Sequence, residues 1–484
     1  NLLSDYWGDV DSLQGIFVKK HYRYVVDMPK TRPLSWNKET LPKWVKVASA
    51  EQGDRVVYRF EAADVARIIP EPNMPGWSEV ASPLHLSTYQ NWEQVGKYYW
   101  GLVREQLVPN EELKKAVETA LKGVDRKDEA KVVAALYGFV VTNTRYVALE
   151  FGIHGYKPYR VDRILARKFG DCKDKASLIH AMLKVAGVDS RLVLLRMRHL
   201  GTLSPEVASL AAFNHAIAYV PKLDLFLDGT AEFHGSRELA SSDRVANVLI
   251  VEPDGPSRFL TTPEANAEDN VTSLSLDVTL KVDGSAAAKG TLVAKGQGAP
   301  EMRRTYQTPA TRVQTFEQQW AQSYPGVQAS EVVVSETKDL ESPLSVKFAI
   351  AMPRYAEAGA GILRFFPFGA SRAFTQALAP LSERNTDLVF PGVWVNELEM
   401  NYALPANWTV PELPPEVFEE SPFGSLRIGV AKKDGKLKVS GRLVMSRARI
   451  SAKEYQDFRT WLLKVDQAFS RKLVAQQGGQ TAAR

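Results

Sequence analysis

The only cysteine of this 484-residue chain, Cys172, stands in a context that favours nucleophilic chemistry. Apolar residues recur after it at helical spacing and Gly187 follows them, which predicts a helix that begins near the cysteine. Asp171 is a good N-cap, because its carboxylate can accept from the free N–H groups of the first turn. Cys172 then occupies the first helical position, where those N–H groups and the helix dipole favour a thiolate. However, most free cysteines in proteins are small, buried apolar residues with a structural role.

A histidine and an aspartate further along the chain could serve as partners for this sulfur. Two apolar, strand-like runs flank a short polar turn after Val220, which predicts a hairpin. If Val220 pairs with Leu223, His215 lies directly opposite Asp228, with Cβ atoms about 5 Å apart on one face. A carboxylate beside an imidazole holds one ring nitrogen and leaves the other to face a nucleophile. Taken singly, each residue is better explained by ordinary sheet and turn structure. The shared register, together with a cysteine at a helix start, favours the catalytic interpretation for the set.

Three short motifs contain these residues: Gly-Asp-Cys-Lys-Asp-Lys at 170–175, Phe-Asn-His-Ala at 213–216 and Leu-Asp-Gly-Thr at 227–230. In this order they resemble the bacterial transglutaminase-like core of the papain-like cysteine superfamily. More narrowly, the chain resembles the subfamily in which this core follows a β-rich domain of unknown function, the DUF3857-type proteins. The resemblance covers roughly residues 83–235.

The resemblance implies roles for four side chains. Cys172 is the expected nucleophile, His215 the base and Asp228 the acid that orients the imidazole. Tyr146 stands near the place where such cores often put an aromatic residue close to the oxyanion site. No cofactor is implied.

These roles predict acyl chemistry on an amide carbonyl of a peptide or protein substrate. With water as the acceptor, the protein is a peptidase or amidase; with a lysine amine, it is a transglutaminase. The three side chains do not distinguish these reactions, and hydrolysis is favoured because it needs no second substrate site. A non-catalytic scaffold that binds a peptide or partner is the competing class, since more than half of the chain lies outside the core.

Composition excludes several other classes of protein. Hydrophobic residues at 45% and charged residues at 24% are typical of a soluble globular protein. The net charge of +5 is small and the basic residues are scattered, so we expect no nucleic-acid partner. No apolar run approaches the ~20 residues of a membrane span. The sequence lacks a cysteine pair and a His-Glu-x-x-His motif, so no metal site is expected.

The location in the cell is predicted from the resemblance. The chain begins at Asn1 without a methionine or a signal peptide, so either a leader has been removed or the sequence is part of a longer product. Proteins of the resembled subfamily are commonly exported in bacteria. We therefore expect a periplasmic or cell-envelope location.

The periodicity of apolar residues predicts an α+β fold with four segments. Residues 1–82 form an N-terminal β-rich domain that looks like only the later half of the domain in the resembled subfamily. Residues 83–262 form the transglutaminase-like catalytic core, with helices first and an antiparallel sheet second. Residues 263–475 form a C-terminal β-rich domain with a terminal helix, and 476–484 are expected to be a disordered tail.

Two local signals make sharper predictions. The pattern Ser87-Thr88-Tyr89-Gln90 is a capping box, which predicts that the first helix of the core opens at Ser87. In the C-terminal domain, Asp434-Gly435 predicts a tight hairpin turn between two strands.

Overall fold

The computed structural model describes residues 6–478, and the chain is a mixed α+β protein. This confirms the predicted fold class. Contacts divide the chain into two compact units, Asn1–Glu264 and Ala265–Arg484. Within residues 6–478, no helix is both long and apolar enough to cross a membrane.

The first unit begins with small sheets, continues with a group of helices and ends with an antiparallel sheet. Its strands and helices, numbered in chain order, are β1 Gly8–Ser12, β2 Lys19–Pro29, β3 Ser35–Trp36, β4 Lys46–Gln52, β5 Arg55–Val65, α1 Trp77–Val80, β6 Pro83–Ser87, α2 Trp92–Val103, α3 Glu111–Ala120, α4 Glu129–Asn143, β7 Arg145–Tyr146, α5 Val161–Arg167, β8 Phe169–Gly170, α6 Cys172–Val185, β9 Arg191–Arg196, β10 His215–Val220, β11 Leu225–Leu227, β12 Asn247–Val251 and β13 Arg258–Thr261.

A five-stranded antiparallel sheet and helix α6 form the centre of this unit. The strand order is β11-β10-β9-β12-β13, and α6 packs against β10. Every residue of α6 from 173 to 183 is buried, and β10 and β12 are buried along their whole length. Such complete burial explains why these strands are continuous apolar runs rather than alternating ones.

The N-terminal strands form two further sheets, ordered β2-β5-β4 and β1-β6-β3. Strand β6 lies on the core side of the predicted boundary between residues 82 and 83, yet it pairs with β1 and β3 from the other side. Leu84 and Leu86 of β6 are fully buried in the same apolar cluster as residues of β2 and β5. The boundary itself stays a prediction.

The side chain of Tyr6 connects the start of the described chain to a loop of the core. Its hydroxyl lies 2.9 Å from Oγ of Ser209 and accepts a hydrogen bond from the Ala211 N–H at 2.8 Å. The ring is 3% exposed. Tyr6 therefore fixes the segment that leads into β10.

The predicted helix start at Ser87 is wrong. Ser87 is the last residue of β6, and its hydroxyl accepts from the Tyr89 N–H in a local turn. Helix α2 begins at Trp92, where the side chain of Asn91 accepts from the Gln94 N–H. Serine hydroxyls compete for nearby backbone groups in turns as well as at caps, so the pattern was ambiguous.

The second unit is built around one large sheet. Its elements are β14 Val271–Leu280, β15 Ala286–Ala294, α7 Gly298–Thr305, α8 Arg312–Ala321, β16 Gln328–Val334, β17 Leu344–Met352, β18 Glu357–Gly359, β19 Ile362–Phe365, α9 Phe374–Leu378, β20 Leu388–Val389, β21 Trp394–Ala403, β22 Trp408–Thr409, β23 Val417–Ser421, β24 Gly424–Lys433, β25 Lys436–Met445, β26 Arg449–Ile450, α10 Tyr455–Phe469 and β27 Leu473–Gln477.

The large sheet has eight strands in the order β16-β17-β15-β14-β21-β25-β24-β23, and only β14 and β21 run parallel within it. The predicted hairpin at Asp434-Gly435 is confirmed, because Lys433 pairs with Lys436 across it. Both turn residues have positive φ, 51° and 72°, which is the geometry of the turn that suits a two-residue hairpin.

The end of the described chain differs from the expected tail. Gln476 and Gln477 belong to β27, where they pair with β19 and β22. Backbone pairing with neighbouring strands holds these two residues in the sheet, although their polar side chains led to the prediction of a disordered tail. The remainder of the predicted tail, residues 479–484, lies outside the described residues.

Candidate active site

Cys172 is the first residue of α6, as the sequence predicts. The side chain of Asp171 accepts from the Asp174 N–H at 3.2 Å, and the Asp174 carboxylate accepts from the Asp171 N–H at 3.4 Å. This reciprocal capping fixes the backbone on both sides of the cysteine. The sulfur therefore sits in the positive field of the first turn, and its residue is partly exposed.

Asp174 holds a second segment against the start of α6. Its carboxylate accepts from the Tyr159 N–H at 2.8 Å and pairs with the Arg167 guanidinium at 2.5 Å. Burial and the neighbouring Asp171 charge raise the pKa of Asp174. Gly170 allows the close approach, since a Cβ there would lie 2.6 Å from the Asp174 Cβ.

His215 and Asp228 lie side by side in the buried sheet. His215 is the first residue of β10, and Asp228 directly follows β11. Nε2 of His215 is 3.2 Å from Oδ1 of Asp228, and the two side chains are 7% and 4% exposed. The ring N–H is not aligned closely enough with this oxygen to form a regular hydrogen bond, so the contact is mainly electrostatic.

The pairing between β10 and β11 differs from the predicted register by two residues. Val220 pairs with Leu225 rather than with Leu223, because Pro221–Leu223 form a 3-10 turn and Asp224 closes it in the left-handed region, with φ of 47°. A shift of one residue would turn every side chain to the opposite face, but a shift of two keeps the face. The histidine and the aspartate therefore still meet, diagonally rather than directly across the pair.

Asp228 is held from three directions. The N–H and the hydroxyl of Thr230 both donate to its Oδ1 at 2.8 Å. The buried hydroxyl of Tyr137, on α4, donates to its backbone oxygen at 3.1 Å. Gly229 lets the turn lie flat on α6, since a Cβ there would lie 3.0 Å from the Lys175 Cβ. The carboxylate therefore has little freedom to move.

Burial and charge act against each other at this pair. Burial alone would lower the pKa of His215, but the Asp228 carboxylate and the nearby Cys172 side chain raise it well above its usual value. Burial alone would raise the pKa of Asp228, yet His215 and Thr230 lower it. The arrangement thus stabilises an imidazolium between a carboxylate and a sulfur, the charge state needed for a thiolate nucleophile.

A cleft of about 350 Å³ opens beside Cys172 and His215. Its walls combine aromatic and aliphatic side chains with polar and charged ones. It is lined by Tyr99, Glu150, Gly155, Tyr156, Cys172, Lys173, Leu194, Leu210, Phe213, Asn214, His215 and Ala216. Clefts of this size and character commonly hold part of a peptide or another organic ligand.

Tyr146 lies next to the segment that leads into Cys172. Strand β7 pairs in parallel with β8, which places Tyr146 beside Gly170, and the following N–H of Val147 donates to the Gly170 oxygen. Partial burial raises the pKa of Tyr146 to about 12, and the charges of Cys172 and Glu150 add to this effect. The hydroxyl therefore keeps its proton over the neutral range. Its oxyanion role stays a prediction.

Replacing Tyr146 by phenylalanine tests that role. If the hydroxyl donates to the developing oxyanion, the substitution lowers kcat for acyl transfer from p-nitrophenyl acetate on the order of 10²-fold. Tyr156→Phe is the matched control, because Tyr156 lines the same cleft; it should leave kcat nearly unchanged. Equal rates for wild type and Tyr146→Phe would remove Tyr146 from the oxyanion site.

Asp243 is a residue of this site that the sequence analysis missed. It ends the short 3-10 turn Ser241–Asp243, is 0% exposed, and accepts from the Ser242 hydroxyl at 2.9 Å. Ligand-type atoms of His215, Asp228 and Asp243 lie within 4.8 Å of one another. We interpret this as a hydrogen-bonded cluster rather than a metal site, because Oδ1 of Asp228 already accepts two hydrogen bonds. Within the sequence, Ser-Ser-Asp resembles an ordinary exposed turn and gave no signal.

The match to a known family defines the class of this region. Residues 118–220 match the transglutaminase-like superfamily, so the chain contains a transglutaminase-like core domain, which confirms the resemblance. The matched residues include Cys172 and His215, whereas Asp228 lies beyond them. Residues 362–475 match DUF3858, a domain of unknown function with a solved structure, which the sequence analysis did not name. No curated protein matches the chain.

Solved structures show where this fold has been seen before. A crystal structure of a "putative protease" from Parabacteroides distasonis is similar over 97% of this chain and 75% of its own, with a TM-score of 0.64 and 15% identity. At that identity the likeness shows the fold alone. A "putative cysteine protease" from Cytophaga hutchinsonii matches 53% of this chain and 88% of its own, with 12% identity and a TM-score of 0.22, which is too low to support an argument.

Proposed function

We propose that this protein is a cysteine-dependent peptidase or amidase that uses Cys172, His215 and Asp228. The Cys172 thiolate attacks a carbonyl carbon of a peptide or carboxamide, and the electron pair of the C=O bond moves to oxygen. As the tetrahedral intermediate collapses, the C–N bond breaks and His215 gives its proton to the leaving amine. His215 then takes a proton from water, which attacks the thioester and releases the acid.

One observation carries this proposal: a partly exposed sulfur at a helix start lines the same cleft as an imidazole, whose Nε2 is 3.2 Å from a buried carboxylate. The backbone N–H of Cys172, free at the first helical position, is a suitable oxyanion donor. The negative charge of Asp228 stabilises the imidazolium, so His215 keeps its proton until it transfers that proton to the leaving amine. The name of the similar Parabacteroides distasonis structure, a "putative protease", agrees with this chemistry.

Alkylation of Cys172 by iodoacetamide tests the charge state that the proposal requires. The chain has no other cysteine, so the label reports this residue alone. We expect a fast rate that changes little between about pH 8 and about pH 5, because the sulfur is paired with an imidazolium. His215→Leu should convert this profile into one that rises towards the value of ~8.5 for an unpaired thiol. A wild-type rate that already rises in that way would contradict the proposal.

The acceptor of the acyl group distinguishes hydrolysis from transglutamination. Mass spectrometry of a glutamine-containing peptide, incubated with and without a primary amine, separates a cleaved or deamidated product from an amine adduct. We expect the hydrolytic product even in excess amine, because hydrolysis needs no second substrate site. A predominant adduct would make the protein a transglutaminase. Complete lack of turnover, with a slow and ordinary thiol, would favour a peptide- or partner-binding scaffold. The predicted periplasmic or cell-envelope location stays a proposal.

A further inference from the structure

Two carboxyl groups meet behind the histidine of the site. Asp228 and Asp243 come from different parts of the chain, the turn after β11 and the 3-10 turn before β12. They are 5% and 0% exposed, and ligand-type oxygens of the two carboxyl groups lie within 4.8 Å of each other. Two ionised carboxylates this close together in the interior are both acceptors and repel each other, so the arrangement favours a proton on one of them.

The surrounding hydrogen bonds show which carboxyl holds this proton. Oδ1 of Asp228 accepts from the N–H and the hydroxyl of Thr230 and faces the imidazole, so every neighbour favours its ionised form. Asp243 accepts one hydrogen bond from Ser242, and no donor in residues 6–478 reaches its buried Oδ2. A buried acceptor without a donor is costly, whereas a proton on Oδ2 turns it into a donor.

We propose that Asp243 is a positioning residue that carries a proton in the active form of the protein and donates a hydrogen bond to Asp228, fixing the carboxylate that orients His215. This inference rests on the proposed function for its catalytic consequence, but the protonation of Asp243 is independent of it. The proton remains on Asp243 throughout the reaction. Its role is to replace the water that would otherwise solvate the inner side of Asp228.

The electrostatics of the cluster agree with this assignment. Burial and the Asp228 charge raise the pKa of Asp243 to about 7, against a smaller opposing effect of His215. Lys175, on the neighbouring helix α6, faces Asp228, and burial lowers the pKa of this lysine to about 8. The neighbouring Arg244 directs its Nε to the Leu239 oxygen. Lys175 thus brings a positive charge near both Glu232 and Asp228, and this charge favours the ionised state of Asp228.

Two substitutions separate this role from simple packing. Asp243→Asn keeps the shape, the oxygen that accepts from Ser242 and, through its amide N–H, a donor for Asp228. Asp243→Leu keeps the volume and removes the donor. We expect Asp243→Asn to keep most of the acylation rate with p-nitrophenyl acetate and Asp243→Leu to lose 10- to 100-fold in kcat, on the order seen for groups that orient a functional histidine, with KM little changed.

Infrared spectroscopy reads the proton directly, whether or not the protein is an enzyme. The difference spectrum of wild type minus Asp243→Asn should contain the C=O stretch of a protonated carboxylic acid below about pH 7 and lose it above. Taking the difference removes bands of other buried carboxyls, including Asp174. Absence of the band at pH 6 in a folded protein would overturn the proposal.

The kinetic measurements on the two variants also test the proposed role of Asp243. If Asp243→Asn is as impaired as a folded Asp243→Leu, the ionised carboxylate is needed and the proposal is wrong. If the infrared band is present but neither variant changes kcat, Asp243 is protonated without positioning Asp228, which also overturns the proposal. If wild type has the band but no acyl transfer, the proposed function fails while the protonation stands. Should Asp243→Leu not fold, the spectrum and pH profile of Asp243→Asn still test the assignment.

Discussion

Cys172→Ala is expected to lower the rate of acyl transfer by about 10⁴-fold or more, because the attacking atom is lost. The chain then contains no thiol, so no other cysteine can substitute. The helix should be unaffected, since alanine is the best helix former and the capping by Asp171 and Asp174 remains. Release of p-nitrophenolate from p-nitrophenyl acetate in a pre-steady-state burst measures the loss.

Ser177→Ala is the matched control on the same helix. Ser177 is fully buried on α6, and its hydroxyl has no hydrogen-bond partner among residues 6–478, so removing the oxygen should leave the burst unchanged. A stoichiometric burst in the Cys172→Ala variant would show that another group is acylated and that the proposed nucleophile is wrong. The alanine variant, which cannot complete the reaction, is also the form with which to look for bound peptide substrates.

Asp228→Asn is expected to produce the second largest loss, again about 10⁴-fold in kcat. The amide has nearly the same shape and its oxygen can still accept from Thr230, so the fold should survive. What disappears is the negative charge. Burial then lowers the pKa of His215 against only the smaller effect of Cys172, so at neutral pH the imidazole is expected to be neutral and cannot pair with a thiolate. Alkylation of Cys172 should change from a flat profile to one that rises with pH.

The same hairpin offers a matched control for this substitution. Asp224 accepts a hydrogen bond from the Tyr219 hydroxyl at 2.8 Å, away from the sulfur. Asp224→Asn makes the identical chemical change and should leave both the burst and the alkylation profile close to those of wild type. The proposed role of Asp228 is refuted if its asparagine variant keeps more than about a tenth of kcat, since loss of the orienting carboxylate costs far more in known triads.

Local signals were sufficient to predict the start of the cysteine helix. Asp171, an N-cap residue type, precedes an apolar run of helical period, and both signals depend only on neighbouring residues. The hairpin prediction was right about which residues share a face but two residues wrong in register. The sequence does not show how many of the residues 221–224 belong to the turn, so the register could not be fixed. Because side chains alternate with a period of two, an error of two residues still left His215 and Asp228 on the same face.

Other features depend on contacts that no local pattern encodes. The sequence of Asp243 is that of an exposed turn, and only the fold buries it against Asp228. Likewise, no local pattern could reveal that β14 and β21 lie side by side in parallel, since the partners of a strand are set by the whole sheet. Periodicity predicts which face of a strand is buried; it carries no information about the neighbour.

The central place of β6 in its small sheet limits how the protein can be divided. A truncated fragment beginning at residue 83 would lose β1 and β3 together, leaving both edges of β6 open and Leu84 and Leu86 uncovered. Open apolar edges promote aggregation. The same cut would remove Tyr6, whose hydroxyl fixes the segment at Ser209 and Ala211 before His215. Recombinant work on the catalytic region therefore calls for the N-terminal strands to be kept.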